Sequence, residues 1–121
     1  MNGVKTSEIF SNILMGLRKV HGIKMTALGN RDGFLISKYE NDDSEIMTLM
    51  AASMIQAAEK AANRLDKVGL NRVIVEFEGK KLIAASAGPK AVISVMATQD
   101  ASLDPIISEL DRTVDRIRNI I

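Results

Sequence analysis

Asp32, Asp42 and Asp43 are the carboxylates whose setting could support proton-transfer chemistry, because a paired acid and base is the least that such catalysis requires. Their neighbours explain them more simply. Asp32 precedes Gly33 in a stretch suited to a hairpin turn, and Asp42 and Asp43 stand where a helix begins, so turn and capping roles are expected of them. His21 is the single histidine and there is no cysteine, which excludes a thiolate zinc site, a multi-histidine metal site and conventional Ser-His or Cys-His catalysis. Gly88-Pro89-Lys90 has neither the glycine run nor the following helix of a phosphate-binding loop, and reads as a strand connection. Arg112 and Arg116 are four residues apart on one helix face, a spacing that suits phosphates or an acidic partner. Glu109, three residues before Arg112, and Asp115, three before Arg118, offset them, so a solvated face of mixed charge is expected. From the residues alone we expect no catalytic group, no cofactor and no metal.

The chain that must position these groups has 121 residues, enough for one domain over 1–121 with a core that needs no disulfide or metal. Sixteen basic and fifteen acidic residues give a formal charge of +1, which exerts no overall pull on nucleic acid. Only three Phe and one Tyr are present, and Phe34 and Phe77 fall inside apolar strand patterns, so they are expected in the core rather than on a base-stacking platform. Lys5 and Glu8 stand near the start, with no signal-peptide core and no apolar run of about 18 residues anywhere. A cytoplasmic protein without membrane insertion is expected.

Apolar residues at 9, 10, 13, 14, 17 and 20 predict a first helix from Thr6 or Ser7 to His21-Gly22. Gly16 interrupts that stripe and suggests close approach to a sheet. Residues 23–28 and 34–39 read as strands of a hairpin turning through Asn30-Arg31-Asp32-Gly33. Asp42-Asp43-Ser44-Glu45 forms a capping box for a long helix over 43–67. The period then changes to two, and 72–77, 81–86 and 91–97 read as a meander of strands. Asp104-Pro105 supplies a cap and a proline at the first helical position for a last helix. The order α-β-β-α-β-β-β-α implies an α+β fold, a three-layer sandwich whose strands are largely antiparallel.

The long second helix carries more grease than one core needs. Residues 46–55 have hydroxyls as their only polar side chains, and apolar residues around a whole helix imply burial against two partners. Leaving Met47, Met50 and Met54 wet would forgo about 5–9 kcal/mol, at roughly 1.5–3 each. Alanines at 51, 52, 57, 58, 61 and 62 allow a second helix to come close. The strand Arg72-Val73-Ile74-Val75-Glu76-Phe77 has high strand propensity and no Pro or Gly, so at a sheet edge it would be an open template for another chain. The expected dimer interface is therefore Met47, Met50, Ala51, Met54 and Ala58 with Arg72, Val73, Ile74, Val75 and Glu76. The competing account of each is packing within its own subunit.

Val20-His21-Gly22-Ile23, Arg31-Asp32-Gly33-Phe34 and the run from Met50-Ala51-Ala52-Ser53-Met54 to Lys60, taken with this element order, resemble the roadblock-type dynein light chain family from about residue 6 to 120. The resemblance implies a five-stranded antiparallel sheet with the long helix on one face and the first and last helices on the other. It also implies homo- or heterodimers joined through the strand after the second helix, serving as platforms for Ras-like small GTPases. Leu103-Asp104-Pro105 departs from the glycine many relatives carry there, which alters the local surface offered to a partner. The expected function is a non-catalytic homodimeric scaffold that binds a Ras-like small GTPase and modulates its nucleotide cycle or location. The alternative is a small-molecule-sensing α+β module, with space left by the alanines of the second helix and by Ala84-Ala85.

Overall fold

Side chains at helical spacing make α1 (Thr6–Arg18) a ridge that lays Phe10, Ile13, Leu14 and Leu17 on the sheet. In this computed structural model, which describes residues 6–38, 43–66 and 69–121, the helix stops at Arg18, before the expected His21. Gly22, at φ +92°, turns the chain into β1 (Ile23–Asn30). A Cβ placed on Gly16 would meet nothing within 4 Å, so close approach to the sheet does not explain that glycine.

β2 (Leu35–Lys38) returns along β1, and α2 (Ser44–Leu65) then crosses the sheet. Asp43 occupies the cap position of α2, but its side chain makes no capping bond; its carbonyl accepts the Met47 N–H at 3.1 Å. The expected end of β2 at Tyr39, the Asp42 cap and the helix end at Lys67 lie outside the described residues. β3 (Arg72–Phe77), β4 (Lys80–Ala87) and β5 (Ala91–Thr98) form the meander. α3 (Leu103–Ile120) begins earlier than expected, with Ser102 at the cap and Asp104 and Pro105 inside the first turn. Proline is tolerated there because first-turn amides lack intrahelical partners, and Asp104 faces the positive end of the helix dipole.

The five strands lie in the order β2-β1-β5-β4-β3, every pairing antiparallel. Alternation sends Leu28, Ile83, Ile93 and Val95 to one face, where they meet α1 and the Ile106, Leu110 and Ile117 ridge of α3. Ala27, Leu82, Ala84 and Val92 point to the opposite face, beneath Met47, Ala51 and Ile55 of α2. The result is the expected three-layer sandwich, α-β-β-α-β-β-β-α, with the long helix alone on one side.

Small residues let α2 lie close. A Cβ on Gly29 of β1 would run into the Thr48 methyl and stand 2.9 Å from the Phe34 carbonyl oxygen, so only glycine fits beneath that turn of the helix.

Candidate interaction surface

β3 occupies one edge of the sheet, with β4 as its single neighbour among the described residues. Its register places Val73 opposite Ala84 and Val75 opposite Leu82, so both valines share the face covered by α2. Arg72, Ile74 and Glu76 alternate to the other face, where the Arg72 Nη2 donates to Asp111 Oδ1 of α3 at 2.9 Å. Ile74 and Glu76 are exposed, while Arg72, Val73 and Val75 are half-buried. The strand is thus an open edge held from behind by an ion pair.

The phase of α2 is set by its contacts with the sheet. Met47 and Ala51 are 2% and 0% exposed, packed inside the subunit against Ala27 and Leu82 and against Ala84 and Val92. These two expected interface residues are therefore spent on the subunit's own core. Met54 and Ala58 are half-buried, Met54 leaning on both clusters beside Val73, and Met50 is 40% exposed. Of the expected helix residues, Met50, Met54 and Ala58 retain surface for another molecule.

The first hairpin meets the other flank of α2. Asn30 Oδ1 accepts the N–H groups of Asp32 and Phe34, both at 3.0 Å, which gives Asp32 the turn setting expected of it. Gly33 has φ +96°, and a Cβ there would come within 2.7 Å of Leu49 Cδ1, so the hairpin tip rests directly on the helix. Arg31 secures the contact: its guanidinium pairs with Glu59 of α2 and donates to Ser86 Oγ of β4 at 3.1 Å, while its carbonyl accepts from Gln56 Nε2 at 2.8 Å.

Phe34 is 70% exposed beside Ile46 and Leu49, 61% and 55% exposed, and Phe77 is exposed at the end of β3. The expectation that both phenylalanines are core is corrected. Phe34 belongs to the turn rather than to the alternating strand, and Phe77 is the last residue of an edge. Ile46, Leu49 and Phe34 were not among the expected site residues. The signal for the helix pair was a second stripe at 46, 49 and 50, out of phase with the buried 44, 47, 48, 51 and 55.

Charge elsewhere is mixed. A cleft of about 390 Å3 between β3 and α3 is lined by Arg72 and Arg118 together with Asp111 and Asp115. Another, of about 370 Å3, gathers Arg18, Lys19, His21 and Lys24 after α1, with Thr98 and Asp100 opposite. Basic residues at a helix C-terminus offset its dipole. The Thr98 hydroxyl bond, reinforced by the Asp100 backbone N–H, holds the Asp100 carboxyl below the usual aspartate range, with His21 and Lys81 adding to the effect. Arg112 Nη1 lies 3.6 Å from Glu109 Oε1 on an exposed face, the offsetting pair expected there. Ala84 and Ala85 are buried, and neither lines either of these clefts. Among the described residues no group of three or more His, Asp or Glu is placed to hold a metal, and no helix is long and apolar enough to cross a membrane.

Comparison with solved structures finds this fold repeatedly. A Roadblock/LC7 domain from Streptomyces avermitilis superposes with a TM-score of 0.85 at 22% identity, covering 91% of this chain and 95% of that one. MglB of Myxococcus xanthus gives 0.84 at 18% identity, covering 96% and 97%. An MglB described as having a tetrameric arrangement gives 0.86 at 17% identity, covering 99% and 92%. Comparison with curated proteins gives no match. The sequence itself matches the Roadblock/LC7 domain family over residues 9–97, most of its length, and the chain belongs to that family.

Proposed function

We propose that two copies of this chain join through β3 and the adjoining flank of α2, and that the resulting cytoplasmic dimer is a non-catalytic platform that binds a Ras-like small GTPase and modulates its nucleotide cycle or location. The whole chain, 1–121, acts in this as one domain. The observation that carries the reading is the meeting of two unfinished surfaces on one side of the subunit: an edge strand without a second neighbour among the described residues, and beside it a helix flank where Met50 and Met54 remain partly exposed. Covering both at once removes apolar area from water and gives the edge a partner. Membership of the family supports a regulatory or scaffold role in general, and one structural neighbour is an MglB in a tetrameric arrangement. The GTPase partner follows from the family resemblance.

Light scattering on the eluting protein at micromolar concentration should report twice the subunit mass, and a stable monomer would overturn the dimer. Met50→Asp is the discriminating variant, because Met50 is exposed in the subunit and a charge there strands an ion in the join without touching the core. It should give a folded monomer. Capture of small GTPases from the same cell, loaded with either nucleotide, tests the partner; absence of capture in both states would remove that half of the reading and leave the dimer standing.

A further inference from the structure

Phe34, Leu35, Ile46 and Leu49 line an open depression of about 300 Å3 where the first hairpin rests on the start of α2. It lies outside the join proposed above: no residue of β3 lines it, and neither Met50 nor Met54 does. Its walls are held in place before anything binds. Asn30 fixes the backbone of Asp32 and Phe34, and Gly33 packs against Leu49 with no room for a side chain between them. A rigid apolar hollow with large side chains left in water is the form taken by a binding hot spot, where one bulky anchor supplies most of the contact.

The rim says what the anchor's neighbours must be. The two charged residues lining the hollow are Asp32 and Glu45, both exposed, and no lysine or arginine lines it. Among the described residues neither carboxylate is paired with a cation. Asp43, also exposed, stands at the cap of the same helix and adds to the negative field. An apolar centre with an acidic rim is complementary to an apolar centre with basic flanks, and repels one flanked by acids.

We infer that this hollow docks a segment of another protein in which a bulky apolar side chain is flanked by lysines or arginines. The anchor sits between Phe34, Ile46 and Leu49 while its flanking cations reach Asp32 and Glu45. The site is independent of pairing through β3, and either can fail without the other.

The test uses the full chain, isotope-labelled, and two short capped peptides with the same Leu-Phe centre, one flanked by lysines and one by glutamates. The lysine peptide should shift the amide signals of Gly33, Phe34, Ile46 and Leu49, bind roughly ten-fold more tightly than the glutamate peptide, and weaken as salt rises past about 0.15 M. Phe34→Ser should abolish those shifts, and Asp32→Lys with Glu45→Lys should reverse the preference between peptides. All three positions are exposed, so the unfolding midpoint serves as the control that each variant is folded. Equal response to both peptides, shifts centred elsewhere, or a preference untouched by the lysine substitutions would overturn the inference. So would a fall in solution mass on Phe34→Ser, which would make another copy of the chain the occupant.

Discussion

The two faces of the sheet are finished to different degrees. Against α1 and α3 the strands present Leu28, Ile83, Ile93 and Val95, and the helices answer with Phe10, Leu14, Leu17, Ile106, Leu110 and Ile117, so that side is closed by the chain itself. Against α2 the sheet offers Ala27, Gly29, Leu82, Ala84 and Val92, the helix answers with Met47, Ala51 and Ile55, and large side chains at 46, 49 and 50 are left outside. One helix cannot cover five strands. The first face stores stability; the second leaves part of its apolar surface open.

Substitutions on the two faces should separate these roles. Leu110→Ala, in the closed face, should lower the unfolding free energy by about 2–5 kcal/mol in urea titration, while Ile46→Ala, in the open one, should stay within about 0.5 kcal/mol. Equal losses would mean that the faces do not differ in the way described. Gly29→Ala tests how tightly α2 lies on β1: overpacking against Thr48 and the Phe34 carbonyl should cost about 1–3 kcal/mol. Pairing it with Thr48→Ser, which removes the clashing methyl, should recover part of that loss. Gly16→Ala, on the closed side but facing open space, should instead stabilise the chain by roughly 1 kcal/mol, since helical glycine is the costlier residue and nothing lies where the methyl would go. The smallest effect concerns acid. The Asp100 carboxyl is depressed in the folded chain, so its contribution is present above the unfolded-state value and fades as pH falls through the folded one. Thr98→Val should move the Asp100 titration, followed by carbon NMR, back toward ordinary aspartate and flatten that acid dependence.

Much of this architecture could be read from periodicity and turns. The element order, the meander and the long helix follow from the change of period after Gly69 and from the turns at Gly33 and Gly88, whereas strand propensity alone left open whether β3 is an edge, which the strand order shows it to be. What periodicity could not supply was phase. In a helix apolar all round, the buried and the exposed arcs look alike, and it takes the packing of Met47 on Ala27 and Leu82 and of Ala51 on Ala84 and Val92 to show that these two face inward. Phe34 was misplaced for a related reason: alternation counts a residue as strand until a backbone hydrogen bond shows that it belongs to the turn. At α3 the Asp-Pro pair marked the helix start two residues late, because the chain places Ser102 at the cap and takes Asp104 and Pro105 into the first turn.

The position of β3 bears on how far the sheet could grow through the proposed join. A two-fold join would use the same border of both copies at once, so sheet growth would end with the first addition. The opposite border is a poorer seed for more, because the register of β2 against β1 slips between Leu28 and Gly29. A pair joined in that way would have used its one open margin and would offer only blunt ones to a third copy.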